Sequence, residues 1–411
     1  MVPASSTRTV VRRSQLVVVL ALMSAPTVTL TVGCADPSDP PDEVLEPRTV
    51  ELDTRRTTDP ETAVRNFVAR IDGLRERVDR FPTDFGVRAL LVNTLLARTV
   101  FLGSYDDFAE IDVLTRDALD SESADALLLR ATYLRAVHRF DEAQELLDQA
   151  ERVGADAVAL ESARLVTELA RGDDPNMLLP RAEQLAASMS FNALTILASV
   201  LAEAGRYIDA DDAYLLALSV YRDVSPFTLA HISFVRGVMW GEMANRPDLA
   251  EILYRDAVSR LPQFVVANTH LAELEDPAVA SERLRPFAEQ TETGDPEPAG
   301  RLAQRIDPLE AESYWMRAEA RYDHLLTLHR DAFLDHASEF FVASGDAELG
   351  LQLALENLDN RVTPRAYVVA INAALEHDPA RACALVLESE HLRVRHSVLD
   401  ALATELERSC R

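Results

Sequence analysis

The chain contains no lysine: all 41 basic residues among its 411 are arginine. A Walker-type phosphate loop and a Schiff-base nucleophile both need a primary ammonium group, so neither chemistry is available. Glycine is scarce, at 13 residues, and there is no glycine-rich phosphate loop. Neither HExxH, GxSxG nor a paired CxxC occurs, which removes the signatures of zinc proteases, serine hydrolases and dithiol enzymes. Apolar-polar alternation over four to eight residues, the mark of a half-buried strand, is hard to find after the N-terminus. Positive charge is also in deficit. The 68 acidic residues leave a net charge of -27, a mean field that repels phosphate, and no basic stripe overrides it. Nucleic acid is therefore not an expected partner, and nothing calls for a cofactor.

The remainder is rich in Ala, Leu, Arg and Glu, the strong helix formers, in long unbroken stretches. This composition implies an all-α chain. Its length would suit two or three compact domains or one elongated array, and the even composition favours the array.

Residues 1–34 read as a targeting segment outside the fold. Arg8, Arg12 and Arg13 precede the apolar run LVVVLALM (16–23), and no acidic residue occurs before Asp36. The segment ends in Leu30-Thr31-Val32-Gly33-Cys34, after which the chain turns polar and proline-rich. This resembles a bacterial lipoprotein signal, in which a small residue precedes the cysteine that is acylated. The resemblance implies a lipid, palmitate-type, on Cys34 and a location on a membrane face of the cell envelope, periplasmic side. Thr31 stands where such signals usually carry leucine. Cleavage after Ala35, giving a soluble periplasmic or secreted protein, is the rival reading, and an uncleaved anchor is a third. Residues 35–60 read as a disordered acidic tether. In an oxidising compartment Cys383 and Cys410 are an even pair, and a disulfide between them stands beside two unlinked small residues as an open alternative.

Repeats dominate the chain beyond the tether. In 125–157 the small residue Ala131 is followed twelve positions later by Ala143, then by Leu147 and Ala150. The copy at 191–221 has Ala198, Leu201, Ala210, Tyr214 and Ala217, and that at 231–262 has Val238, Ala250, Tyr254, Ala257 and a closing Pro262. Two antiparallel helices approach closely only where side chains are small, which explains the spacing. These units resemble the tetratricopeptide repeat. Ala97, Ala131, Ala163, Ala198, Val238, Ala272, Ala303, Ala337 and Ala370 extend the ladder at intervals near the repeat's 34 residues. Segments such as RAVHRFDEAQELLDQAERVGAD and RDAFLDHASEFFVASGDAELGLQLALENLDNRVTPRAY are similar to bacterial tetratricopeptide proteins. The resemblance implies a right-handed solenoid of about nine helix pairs over 61–411, with helices capping both ends. Pro175, Pro180 and GDPEP (294–298) look like interruptions, and a break near 290–300 is expected.

The resemblance further implies a non-catalytic scaffold that binds a protein or peptide on the concave face formed by first helices. Inward positions are Arg135, then Asn192, Thr195 and Ser199, then Arg236, Met239 and Glu242, and later Phe341. Some family members grip a terminal carboxylate with lysines and an asparagine. Here lysine is absent, and Thr132, Ser199 and Met239 replace the asparagine, which argues against that clamp. A narrower reading is an envelope assembly or secretion component. An alternative class, a metal-binding or enzymatic helical protein, rests on His336 and Glu339, which share a helix face; a dicarboxylate bundle would need a second such motif. Trp315, Tyr314, Tyr322, Phe340 and Phe341 read as core, with Trp315 or Phe341 lining a groove as the functional alternative.

Overall fold

A computed structural model describes residues 49–119, 123–407 and 410. Cys34, the signal segment and most of the tether lie outside the described residues. Among the described residues there is no strand. A capping helix α1 (Pro60–Arg80) precedes pairs formed by α2 (Phe85–Leu102) with α3 (Asp107–Ala118), α4 (Ala124–Ala136) with α5 (Phe140–Arg152), and α6 (Ala157–Arg171) with α7 (Pro175–Ala186). Then come α8 (Phe191–Glu203) with α9 (Tyr207–Val220), α10 (Pro226–Val238) with α11 (Pro247–Arg260), and α12 (Val265–Leu274) with α13 (Pro277–Ala288). The short α14 (Glu297–Ala303) packs on the first part of the long α15 (Pro308–Ser344), whose second part pairs with α16 (Ala347–Asn360). Finally α17 (Pro364–His377) pairs with α18 (Pro379–Glu388), and α19 (Glu390–Arg393) and α20 (Ser397–Glu407) close the array.

Several of these helix starts are written in the sequence as an acid followed by proline. Asp59-Pro60, Asp174-Pro175, Asp307-Pro308 and Asp378-Pro379 each put proline in the first turn, while the aspartate accepts a backbone N–H of that turn. Proline is at home there because its missing N–H would have had no helical partner. Pro175 therefore opens the second helix of a repeat and interrupts nothing; only Pro180 lies inside a helix of that unit. Each second helix then buries one stripe. In α5, Phe140, Ala143, Leu147 and Ala150 are buried at helical spacing, and Asp141, Glu142 and Glu145 lie off that stripe.

Every small residue of the ladder falls on a first helix, from Ala97 in α2 to Ala370 in α17, with Val238 ending α10. Gly237 shows how close the crossing is. A Cβ there would lie 2.4 Å from the Tyr254 ring of α11, so no larger residue fits. The eighth first helix is fused to the seventh second helix as α15, and His329 (φ -142°, ψ 53°) is where the two halves bend. Near 290–300 the chain stays packed, with Thr291 and Asp295 buried. Helix α2 is long and apolar enough to cross a membrane, but Leu91, Val92, Leu95 and Phe101 sit in the protein core.

Distant repeats also touch. Phe101 meets Phe227 and Phe264 at ring centroid distances of 5.1 and 5.0 Å, and Asn360 Nδ2 donates to the carbonyl of His138 at 3.0 Å. At Gly172, φ is +101° and a Cβ would lie 2.3 Å from the Val362 carbonyl oxygen, so this contact requires glycine twice over. The stretch 49–59, expected to be tether, instead runs extended across α9 to α11. Arg236 Nη1 donates to the Glu51 carbonyl (2.9 Å), Arg260 donates to that of Asp53, and Arg55 reaches the Leu218 and Tyr221 carbonyls. Val50 and Leu52 pack on the core beneath.

Cys383 of α18 is bonded to Cys410, 27 residues on, just beyond α20. Closing a loop of that size stabilises by roughly 3 kcal/mol in the chain-entropy model. In a solenoid such a gain stays local. Reduction should therefore speed amide exchange in α18 and α20 about a hundredfold while leaving α4 and α5 unchanged, as read by hydrogen–deuterium exchange mass spectrometry. Equal loss of protection along the chain would contradict this.

Candidate functional site

Several first helices bring charge to one place inside the array. Arg301 of α14 lies 3.0 Å from Glu273 of α12, 3.2 Å from Glu297 and 3.1 Å from Glu339 of α15. Glu339 is 3.5 Å from Arg365 of α17, which pairs at 2.8 Å with Glu242. Glu242 sits in a π turn, Met239–Met243, that ends α10. His270 of α12 closes the circuit, with Nδ1 2.9 Å from Glu242 and 3.7 Å from Glu273. The contacts thus form a ring of alternating sign, with His336 attached through Glu297 at 3.3 Å.

Burial alone would discharge these groups, and the ring prevents it. His270 is disfavoured as a cation by burial, yet Glu242 and Glu273 lift its pKa to about 9. Burial likewise opposes the charge on His336, but Asp335 and Glu297 raise it to about 10. Glu242 is pushed up by burial and drawn down further by Arg365 and His270, to about 2. Buried ions remain charged only where partners replace water, and removing one partner strands the others.

Glu297, His336 and Glu339 offer metal-ligand atoms all within 4.8 Å of one another. The structure thus unites the two residues singled out in the sequence with a third that sequence spacing could not show. Arg301 rests on both carboxylates, so it already supplies the positive charge a metal would bring, and the trio is explained as part of the ring.

Beside the ring lies a partly open cavity of about 430 Å³. Phe108, Phe234, Phe264 and Phe333 form much of its wall, and Arg135, His138, Asp295, Glu297 and His336 reach it. His138 is held neutral, its pKa lowered by burial to about 4. Asp295 accepts from Tyr105 Oη (3.1 Å) and the Glu297 N–H (2.9 Å), and burial with the Glu297 charge raises it to about 6. Among the described residues no ion pair or hydrogen bond engages the Arg135 guanidinium, and burial alone lowers its pKa.

The remaining inward positions scatter. Asn192 lines a small pocket next to the cavity together with Thr132 and Arg135. Thr195 donates to the Asn192 carbonyl, and Ser199 bonds Tyr214 Oη. Arg236 is 1% exposed and clasped by Asp211 at 2.7 Å, and Met239 is buried beside it in sequence and space with Trp240. Phe341 packs on Phe340 and, with Trp315, lines a separate open groove. Tyr314, Tyr322 and Phe340 are core. The ring members Arg301, Arg365, His270 and Glu273 were not singled out by sequence. Their one signal is charge on first helices close to the small residues Ala272 and Ala303.

The helix pairing defines an all-α solenoid of tetratricopeptide-like units. No family model matches the chain, and no curated protein matches it in sequence. Solved structures similar to it include the APC/C hetero-tetramer Cut9–Hcn1, with 14% identity over 79% of this chain and 63% of that one at TM-score 0.43. Yeast Tom70 shows 13% identity over 85% and 95% of the two chains, TM-score 0.27. The TPR domain of P58(IPK) shows 13% over 85% and 99%, TM-score 0.25. The chain spans less than two thirds of the Cut9–Hcn1 chain it matches. At these values the fold assignment rests on the helices themselves.

The ring makes stability depend on pH with a defined sign. The folded pKa of His270 lies above its ordinary 6.5, so its contribution is whole below pH 6.5 and is lost as pH rises through about 9, a change of roughly 3 kcal/mol. Glu242 is depressed below its ordinary 4.5, so its contribution is whole above pH 4.5 and vanishes on acidification toward 2. Melting temperature should therefore be highest between these limits, and His270→Gln should make the alkaline limb shallower, leaving the part that His336 contributes as it titrates through about 10. A wild-type melting temperature unchanged from pH 6.5 to 9.5 would overturn this.

Proposed function

We propose that the chain is a non-catalytic scaffold that holds a segment of another protein and is anchored by a lipid on Cys34 to a membrane of the bacterial envelope. The observation that carries the binding half is the open groove of about 900 Å³ between α14 and both ends of α15. Trp315, Met316, Ile306 and Phe341 supply its apolar floor, and Glu312, Glu319 and Asp346 its rim. Met316 is 58% exposed, as is the nearby Leu309 at 87%, so large apolar side chains stand open to solvent at and beside a groove whose exposed lining is otherwise largely polar. Apolar anchors flanked by arginine or lysine would complement both floor and rim. The chain already holds one extended segment, its own residues 49–59, through guanidinium-to-carbonyl bonds, a mode that places few demands on side chains. The scaffold reading draws on this strap and groove in place of the inward positions, of which Glu242, Arg236 and Ser199 are engaged within the chain.

A photo-crosslinking residue at Met316, introduced in the native host, should yield a discrete protein adduct, while the same residue at Met177, 73% exposed on α7, should not. Equal labelling at both positions, or none at Met316, would remove the groove from consideration. For the anchor, intact mass spectrometry of the membrane-purified protein should give an N-terminus at Cys34 bearing acyl chains, lost in Cys34→Ala. An unmodified N-terminus after Ala35 would make the protein soluble after export and sink the anchor.

A further inference from the structure

The cavity beside the ring plays no part in the groove described above, and its lining is unlike the rest of the interior. Elsewhere buried arginines meet carboxylates: Arg236 meets Asp211 at 2.7 Å, Arg321 meets Asp106 at 2.8 Å, and Arg301 and Arg365 meet the ring glutamates. In a chain with 68 acids for 41 arginines, partners are plentiful. Arg135 nonetheless opens onto the cavity with none among the described residues. The Arg135 guanidinium is half-buried at the cavity wall and has no counter-charge of its own, so an anion that enters the cavity meets an unpaired, planar set of donors.

We propose that this cavity is a binding site for a small organic acid, one carboxylate on an apolar body, with the carboxylate on Arg135. The guanidinium presents its N–H donors as a planar fork that matches a carboxylate. Phe108, Phe234, Phe264 and Phe333 would enclose the body. A cavity of about 430 Å³ lies within the range of small-molecule sites and exceeds the ~150 Å³ that accommodates benzene. Asp295 and Glu297 on the same cavity disfavour a second negative charge, so a monocarboxylate fits better than a phosphate.

A second observation marks the same end. Asn192 is 7% exposed and its side-chain oxygen has no hydrogen-bond partner, in the small pocket that shares Thr132 and Arg135 with the cavity. The hydroxyls of Thr132, Ser162 and Thr167 there already donate to carbonyls of their own helices. A hydroxyl or N–H next to the ligand's carboxylate would satisfy Asn192. A peptide terminus is a poorer occupant, because its backbone N–H and C=O groups would face an aromatic wall that offers no partner.

The test is titration calorimetry of the full-length protein with 2-naphthoate, its uncharged amide 2-naphthamide, and 2-naphthyl phosphate. The acid should bind about tenfold or more tightly than either. Arg135→Gln should abolish that preference, leaving acid and amide equal, and Arg135→Lys should keep part of it. Because Arg135→Gln removes an uncompensated charge, it should melt no lower than the wild type, which separates lost binding from lost folding. No binding of 2-naphthoate at about 5 mM, no discrimination between acid and amide, or full discrimination by Arg135→Gln would each overturn the proposal. A preference for the phosphate would overturn the ligand class. None of these outcomes bears on crosslinking at Met316, so the groove and the cavity stand or fall separately.

Discussion

A single guanidinium, that of Arg301, touches carboxylates on three successive first helices. A solenoid's pairs need only contact their neighbours, and nothing in that rule obliges the axis to close. Here first helices that are not neighbours also meet, as where Glu242 at the end of α10 pairs with Arg365 of α17. The geometry also bears on the missing lysine. Arg301 meets three acids through one planar head, whereas an ammonium offers a compact charge with donors in other directions. Interior ion pairs add little net stability once desolvation is counted, but they are intolerant of a missing partner. The ring therefore fixes which repeats meet more than it raises how firmly they hold.

The ring also separates two kinds of surface. One is the partly open cavity between early and late repeats, with aromatic walls and the Arg135 cation. The other is the open groove at α15, with exposed methionine and leucine and an acidic rim. The first is shaped for something small that can be surrounded, the second for something long that can be laid down.

Much of the architecture is legible in residue spacing. The ladder of small residues falls on first helices because close crossing is a local steric demand, repeated at each unit. The acid-proline pairs mark helix starts for an equally local reason, although Pro175 reads as an interruption until the helix it opens is in view. The long α15 is less accessible, since its two halves follow the repeat pattern and only the fusion at His329 departs from it. The ring is legible only in fragments. Glu242 and Glu339 are picked out by repeat offset and helix spacing, but Glu273 and Glu297 are two acids among 68, and what joins the four is a set of contacts between helices far apart in the chain. Transferred groove offsets meet the same limit: Arg236 points where the family pattern expects a partner, but the chain's own Glu51 carbonyl and Asp211 hold it.

The strap at 49–59 has a mechanical meaning. Its bonds to Arg236, Arg260 and the ends of α9 lie along the strap and span three helices. Tension applied from the N-terminal side would load these bonds together, as in shear, before it reached the first turn of α1. A protein tethered by that end would thus receive force at the middle of its solenoid, leaving the capping helix and the repeats it covers unstrained.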